Sequence, residues 1–136
     1  MKIRPYLTFQ GTCEEAIKLY ERAFQTTVGQ TLRFCDLPQN PENPLPEEMK
    51  SQIVQAVMNI GEDFIRLSDC MQKLNDPESE RISLAVEASA DEVKHAFSIL
   101  SEEGRVGIPL AETFYSPCTG VVFDKFGVMW NLIVPK

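Results

Sequence analysis

Two stretches of this sequence, 77 positions apart, carry the same pattern, and such a repeat restricts the fold more than any other property of the chain. The extended segment Ile3–Phe9 leads into Thr12-Cys13-Glu14-Glu15, and the extended segment Arg81–Ala88 leads into Ser89-Ala90-Asp91-Glu92. Each tetrapeptide is a capping box: the hydroxyl accepts the third helical N–H while the glutamate accepts the cap N–H. Both predict a helix directly after a strand. Beyond the boxes, Ala16, Tyr20 and Ala23 fall at i, i+4 and i+7, and Val93, Phe97 and Leu100 repeat that spacing with the same apolar character. In the preceding strands, Pro5, Leu7 and Phe9 correspond to Ile82, Leu84 and Val86.

Three strands are predicted after each helix. In the first copy they are about Thr26–Phe34, Ser51–Ile60 and Asp63–Asp69; in the second, about Arg105–Leu110, Thr113–Phe123 and Val128–Val134. Asn59-Ile60-Gly61-Glu62-Asp63 and Asp124-Lys125-Phe126-Gly127 supply turn signals before the last strand of each copy. The expected architecture is α+β: two βαβββ modules forming a curved mixed sheet, with helices on the outer face and a small-molecule cleft enclosed. Residues 1–136 are assigned to a single domain, with 1–72 as the first module and 80–136 as the second. Leu37–Met49 contains Pro38, Pro41, Pro44 and Pro46, a density that bars a regular helix or central strand. It reads as a solvated hairpin loop, or as a flap over a ligand or a reach toward a partner subunit. Lys73–Glu80, with Asn75-Asp76-Pro77, reads as the linker between modules.

Composition narrows the function. A chain of 136 residues can bury one substantial core. Its net charge of −7, with no local Lys/Arg cluster, opposes the phosphate neutralisation that nucleic-acid binding requires. No apolar run approaches the roughly 20 residues that cross a bilayer, and the N-terminus lacks the apolar stretch of a signal peptide. The expectation is a cytoplasmic protein that binds neither nucleic acid nor membrane. Cys13, Cys35, Cys70 and Cys118 form no C-x-x-C pair and His95 is the one histidine, which leaves a zinc cluster unsupported.

Strand alternation sorts the side chains into two faces. Val54, Ala56, Met58 and Ile60 make an apolar face suited to lie beneath a helix; Ile53, Gln55, Val57 and Asn59 make the other. Ile65 and Leu67 separate in the same way from Phe64, Arg66 and Ser68. The first strand separates Ile3, Pro5, Leu7 and Phe9 from Arg4, Tyr6, Thr8 and Gln10, and its repeat separates Ile82, Leu84 and Val86 from Arg81, Ser83 and Ala85. In the last strand Asn131 sits with Met129 and Ile133. The mixed faces, apolar with a few polar groups, have the composition of a small-molecule pocket or of a wetted surface. The candidate ligand-binding residues are therefore Tyr6, Thr8, Gln55, Asn59, Phe64, Arg66, Ser68, Arg81, Ser83, Met129 and Asn131.

Paired βαβββ modules resemble the vicinal-oxygen-chelate superfamily, which includes glyoxalase I, bleomycin-resistance proteins and extradiol dioxygenases. Within it the chain is most similar to the PhnB-like group. The resemblance rests on Pro5-Tyr6-Leu7-Thr8-Phe9, Gly11-Thr12-Cys13-Glu14-Glu15-Ala16-Ile17, Pro46-Glu47-Glu48-Met49-Lys50 and Asp124-Lys125-Phe126-Gly127-Val128-Met129-Trp130. It implies a glyoxalase-like fold and a homodimer. Chelating members place His, Gln or Glu at inward strand positions, matched here by Pro5–Thr8, Arg66–Ser68, Arg81–Ser83 and Asn131. At the last of these the resemblance implies a glutamate, and the chain has Asn131, a neutral carbonyl. Divalent cations favour carboxylates and imidazoles, and only Glu87, at a strand end, could bring one to these faces. His95 points away from the Val93/Phe97/Leu100 stripe.

The leading expectation is thus a small-molecule ligand bound without metal or other cofactor. The alternatives are a divalent-metal lyase, isomerase or dioxygenase of the same superfamily, and a dimeric interaction scaffold. Relatives carry a demethylubiquinone methyltransferase label, but no Gly-rich strand-to-helix loop of the nucleotide-binding type is present. Cys13, in the first turn of a helix, is either a thiolate favoured by the helix dipole or a buried structural thiol. Arg66 and Arg81 suit an anionic ligand or surface ion pairs, and Tyr6, Tyr115 and Trp130 suit a planar ligand or the core.

Overall fold

The computed structural model describes residues 1–70 and 80–136; the linker expectation, Glu80 apart, lies outside the described residues. The described residues fall into two units, one holding Met1–Glu21 and residues 26–70, the other Arg22–Gln25 and residues 80–136.

In the first unit the order is β1 (Tyr6–Phe9), α1 (Cys13–Phe24, whose residues from Arg22 on belong to the second unit), β2 (Val28–Arg33), a short helix α2 (Glu47–Lys50), β3 (Ile53–Ile60) and β4 (Asp63–Asp69). In the second it is β5 (Leu84–Glu87), α3 (Ala90–Leu100), β6 (Arg105–Ala111), β7 (Thr119–Phe123) and β8 (Met129–Ile133). Each unit builds one four-stranded mixed sheet, ordered β1-β4-β3-β2 and β5-β8-β7-β6. The first strand of each unit pairs parallel to the last, and the remaining pairs are antiparallel. A parallel partner needs a crossover connection, and the helix after the first strand begins it. The chain is therefore α+β with a doubled βαβββ module.

The apolar faces fill the core. Phe9, Ala56, Met58, Ile65 and Leu67 are buried in the first unit, as are Ala16, Ile17 and Tyr20 of α1. In the second, α3 packs against β7 and β8, burying Val93, Ala96 and Leu100 together with Val122, Trp130 and Leu132. Gly120 permits that approach: a Cβ there would stand 3.0 Å from the Phe97 ring and 2.8 Å from the Ile108 carbonyl oxygen. The second capping box forms, with Ser89 Oγ accepting Glu92 N–H at 3.3 Å and Glu92 Oε1 accepting Ser89 N–H at 3.3 Å.

Some elements are shorter than the apolar pattern predicts. β1 begins at Tyr6, leaving Ile3 exposed, although the Pro5 carbonyl accepts the Arg66 N–H at 3.0 Å. β5 begins at Leu84, so Arg81 and Ser83 precede the paired strand. β7 begins at Thr119, because residues 113–118 close a turn in which Ser116 Oγ lies 2.8 Å from the Val134 carbonyl and accepts the Cys118 N–H at 3.1 Å. Against the expectation of no regular helix in Leu37–Met49, a one-turn helix, α2, begins at its end, past the last proline of the segment. Pro46 stands just before α2 as its N-cap, with φ −56° and ψ 143°. Among the described residues no helix is long and apolar enough to cross a membrane.

Candidate functional site

Strand register decides which side chains share a surface, since cross-strand partners point to the same face. In the first sheet Tyr6 pairs with Arg66 and Thr8 with Ser68; Arg66 pairs in turn with Val57, and Phe64 with Asn59. Gln55 pairs with Leu32 of β2. The structure thus gathers Tyr6, Thr8, Gln55, Asn59, Phe64, Arg66 and Ser68 on the face opposite Ala56, Met58, Ile65 and Leu67. Tyr6 is 51% exposed while Ser68 is 7% exposed, so the surface is open at β1 and closed at the end of β4. Val57 and Leu32 supply its apolar part.

Arg4 belongs to this surface too. Its guanidinium carbon lies 4.6 Å from the Phe64 ring centroid, and that of Arg66 lies 5.6 Å from the same centroid. Both distances fall within the range of cation–π attraction. The alternation that selects Tyr6 and Thr8 selects Arg4 as well, so the signal for it is present in the sequence.

In the second sheet Asn131 lies between Ala85 and Val121, Ile133 between Glu87 and Thr119, and Met129 beside Phe123. Met129 and Asn131 therefore share a face with Glu87, which is exposed. Val121 and Phe123 are buried on this side, and Arg105 covers the Phe123 ring at 4.0 Å. Arg81 and Ser83 lie outside the ladder, so register does not bring them to Asn131.

Trp130 goes to the opposite face, 1% exposed, with its ring 5.0 Å from that of Phe24. It is core rather than a ligand platform. Asp124 holds the turn before it: Oδ1 accepts the Phe126 N–H at 2.9 Å and the Val128 N–H at 3.1 Å, and Oδ2 accepts the Trp130 indole N–H at 2.9 Å. Gly127, with φ +87°, takes the left-handed conformation that this turn needs. The Asp-Lys-Phe-Gly-Val-Met-Trp motif is therefore a folding device.

Donors for a divalent cation are sparse. Among the described residues no group of three or more His, Cys, Asp or Glu side chains stands close enough to hold one. Exposed His95 lies with Nε2 2.8 Å from the Arg22 carbonyl oxygen. The buried Asp69 accepts Cys13 N–H and Ile53 N–H, each at 3.0 Å, tying the start of α1 to the start of β3. Burial, reinforced by the Asp69 carboxylate, pushes the Cys13 thiol up to about 12, so it is neutral at physiological pH despite its place at a helix start.

Residues 1–133 match the family described as 3-demethylubiquinone-9 3-methyltransferase. The chain belongs to this family. Protein YjdN of Escherichia coli is 29% identical to it over 142 residues, covering all of this chain and 97% of its own. The PhnB protein of Bacillus cereus superposes with a TM-score of 0.80 at 24% identity, over 98% of this chain and 99% of its own. FosX, the fosfomycin resistance protein of Listeria monocytogenes, superposes at 0.68 with 8% identity, over all of this chain and 93% of its own. A mutant FosX has been solved with Mn(II) and a dihydroxypropylphosphonic acid. The PhnB-like chain thus has the vicinal-oxygen-chelate fold.

Proposed function

We propose that this PhnB-like protein binds a small organic molecule on the mixed strand faces, and does so without a divalent metal. The observation that carries the reading is the register of the first sheet, which sets Tyr6, Thr8, Gln55, Asn59, Phe64, Arg66 and Ser68 on one partly open surface. An aromatic ring, apolar patches and a few directional polar groups are what a small-molecule site requires. The donor set supports metal independence, because these groups are neutral or cationic and Asn131 carries no charge. Glu87 on the second sheet is one carboxylate, too few for a cage.

A thermal-shift screen against small metabolites, with and without EDTA, tests the reading. A ligand that prefers the folded chain raises its melting temperature by mass action, and the rise should persist in EDTA. Stoichiometric Zn, Ni, Mn or Fe in protein purified without chelator would overturn it. That outcome would favour a metal-dependent lyase, isomerase or dioxygenase. Methyl transfer, named in the family's description, predicts instead saturable binding of a sulfonium methyl donor in calorimetry.

Self-association forms part of the same proposal. Among the described residues β6 is an edge strand, with Val106 and Ile108 exposed, and an apolar edge of this kind favours a partner. Sedimentation at micromolar concentration should give a dimer; a monomer alone would remove the scaffold alternative along with it.

A further inference from the structure

Three arginines of this acidic chain are matched to carboxylates. Arg22 reaches Glu102 at 3.0 Å, Arg33 reaches Glu14 at 3.1 Å and Arg105 reaches Glu80 at 4.0 Å. Arg4 and Arg66 are different. Among the described residues their guanidiniums meet no carboxylate, and both lie against the one ring of Phe64. Two like charges held on one ring repel each other until an anion joins them.

We propose that Arg4, Arg66 and Phe64 form an oxyanion site on the first sheet. It would take the carboxylate or phosphate head of the small molecule, an inference that rests on the ligand-binding reading above. A guanidinium drawn to a ring face keeps N–H donors free for an oxyanion, and its planar fork matches two oxygens at once. Neutral donors stand beside it: Tyr6 is the register partner of Arg66, and Thr8 and Ser68 pair one step further along the same face.

The internal repeat supplies a comparison. Leu7 pairs with Leu67 as Leu84 pairs with Trp130. On that alignment Arg81 replaces Arg4, but Met129 replaces Arg66 and Gly127 replaces Phe64. At these aligned positions the second unit keeps the fold but lacks the second guanidinium and the ring, although Arg105 lies over Phe123 elsewhere on that sheet. Sheet construction therefore does not require the trio, and a ligand unique to the first unit accounts for it.

Titrating the full chain with sodium phosphate, with benzoate and with neutral benzamide tests this, following arginine Nε–Hε signals in ¹H–¹⁵N spectra. Arg4→Lys and Arg66→Lys assign the two signals. Phosphate or benzoate should shift both signals, saturably and less at high salt, whereas benzamide should shift neither. Phosphate alone acting would identify a phosphate head, and benzoate alone a carboxylate. Arg4→Ala or Arg66→Ala should weaken binding about tenfold or more, the loss typical of a charged hydrogen bond, while Lys94→Ala should leave it unchanged. Arg66→Lys keeps the charge without the fork and should fall between, which preserves the test if Arg66→Ala unfolds. Stationary arginine signals under both anions overturn the site, as does equal weakening in Lys94→Ala. If benzamide moves the backbone signals of Tyr6 and Val57 while the arginine signals stay still, the oxyanion inference fails and the small-molecule reading stands. If no metabolite in the wider screen shifts any signal, both fail.

Discussion

The Asp124 carboxylate accepts the indole N–H of Trp130 at 2.9 Å, and both residues are buried. The other oxygen of Asp124 holds two backbone N–H groups of the turn between them. One side chain thus fixes the hairpin and orients the largest residue of the second core.

Asp124→Ala should therefore cost more than an ordinary surface change. It leaves the buried indole N–H without its acceptor and frees the turn amides, for an expected loss of about 2–4 kcal/mol. Trp130→Phe removes the donor and should couple to Asp124→Ala in a double-mutant cycle. Urea denaturation measures the single variants, with fluorescence of the sole tryptophan reporting wherever Trp130 is kept.

That motif also shows where sequence reading reaches and where it stops. The doubled capping box and the 77-residue offset made the βαβββ order legible, because helix starts and apolar stripes are local signals. Alternation sorted Tyr6, Thr8, Arg66 and Ser68 onto one face, and register joined them. Strand ends were less legible: Thr113–Cys118 has the apolar content of a strand, yet Ser116 turns it by bonding to Val134, a contact set by tertiary folding. Nor could spacing reveal that Arg4 and Arg66 share one ring, since this depends on side-chain paths across two strands. The role of Asp124 lay hidden for the same reason, as an acidic residue at a hairpin turn is ordinarily solvated.

The capping box at Ser89 gives a prediction with a pH signature. Ser89→Ala should destabilise the chain by about 1 kcal/mol, the usual cost of losing a hydroxyl cap. Hydrogen bonds from Ser89 hold the Glu92 carboxyl below its ordinary value of 4.5. A depressed carboxyl contributes stability above its unfolded value and loses it as pH falls through the folded one. The gap between wild type and Ser89→Ala should therefore be larger at pH 7 than at pH 3 in matched urea titrations. An equal gap at both would assign the effect to the hydroxyl alone.

Gly120 marks how tightly α3 sits on β7. Gly120→Ala would place a methyl group 2.8 Å from the Ile108 carbonyl oxygen, and backbone cannot step aside as a side-chain tip can. Overpacking of this kind typically costs about 1–3 kcal/mol. Gly61→Ala is a useful contrast, because nothing lies within 4 Å of its Cβ position although its φ is +61°. Strain there acts through backbone conformation alone, so Phe97→Ala should relieve part of the defect at Gly120 and none at Gly61. Thermal unfolding of the three singles and two doubles checks this.

Cys13 is fully buried while Cys35 is exposed. Iodoacetamide at neutral pH should label Cys35 and spare Cys13 until the chain unfolds, as peptide mass spectrometry would show. Burial disfavours the Cys13 thiolate more than the helix start favours it, which raises the folded value to about 12 from the ordinary 9.0. The sign follows from linkage: between those two values the unfolded chain releases a proton that the folded chain retains. Stability conferred by this thiol is thus complete below pH 9 and declines as the medium approaches pH 12. Cys13→Ala should lose some stability at neutral pH by leaving a small cavity, yet show a shallower alkaline decline than wild type. Parallel decline in both proteins, or rapid alkylation of Cys13 in the folded chain, would show that the thiol ionises as freely folded as unfolded.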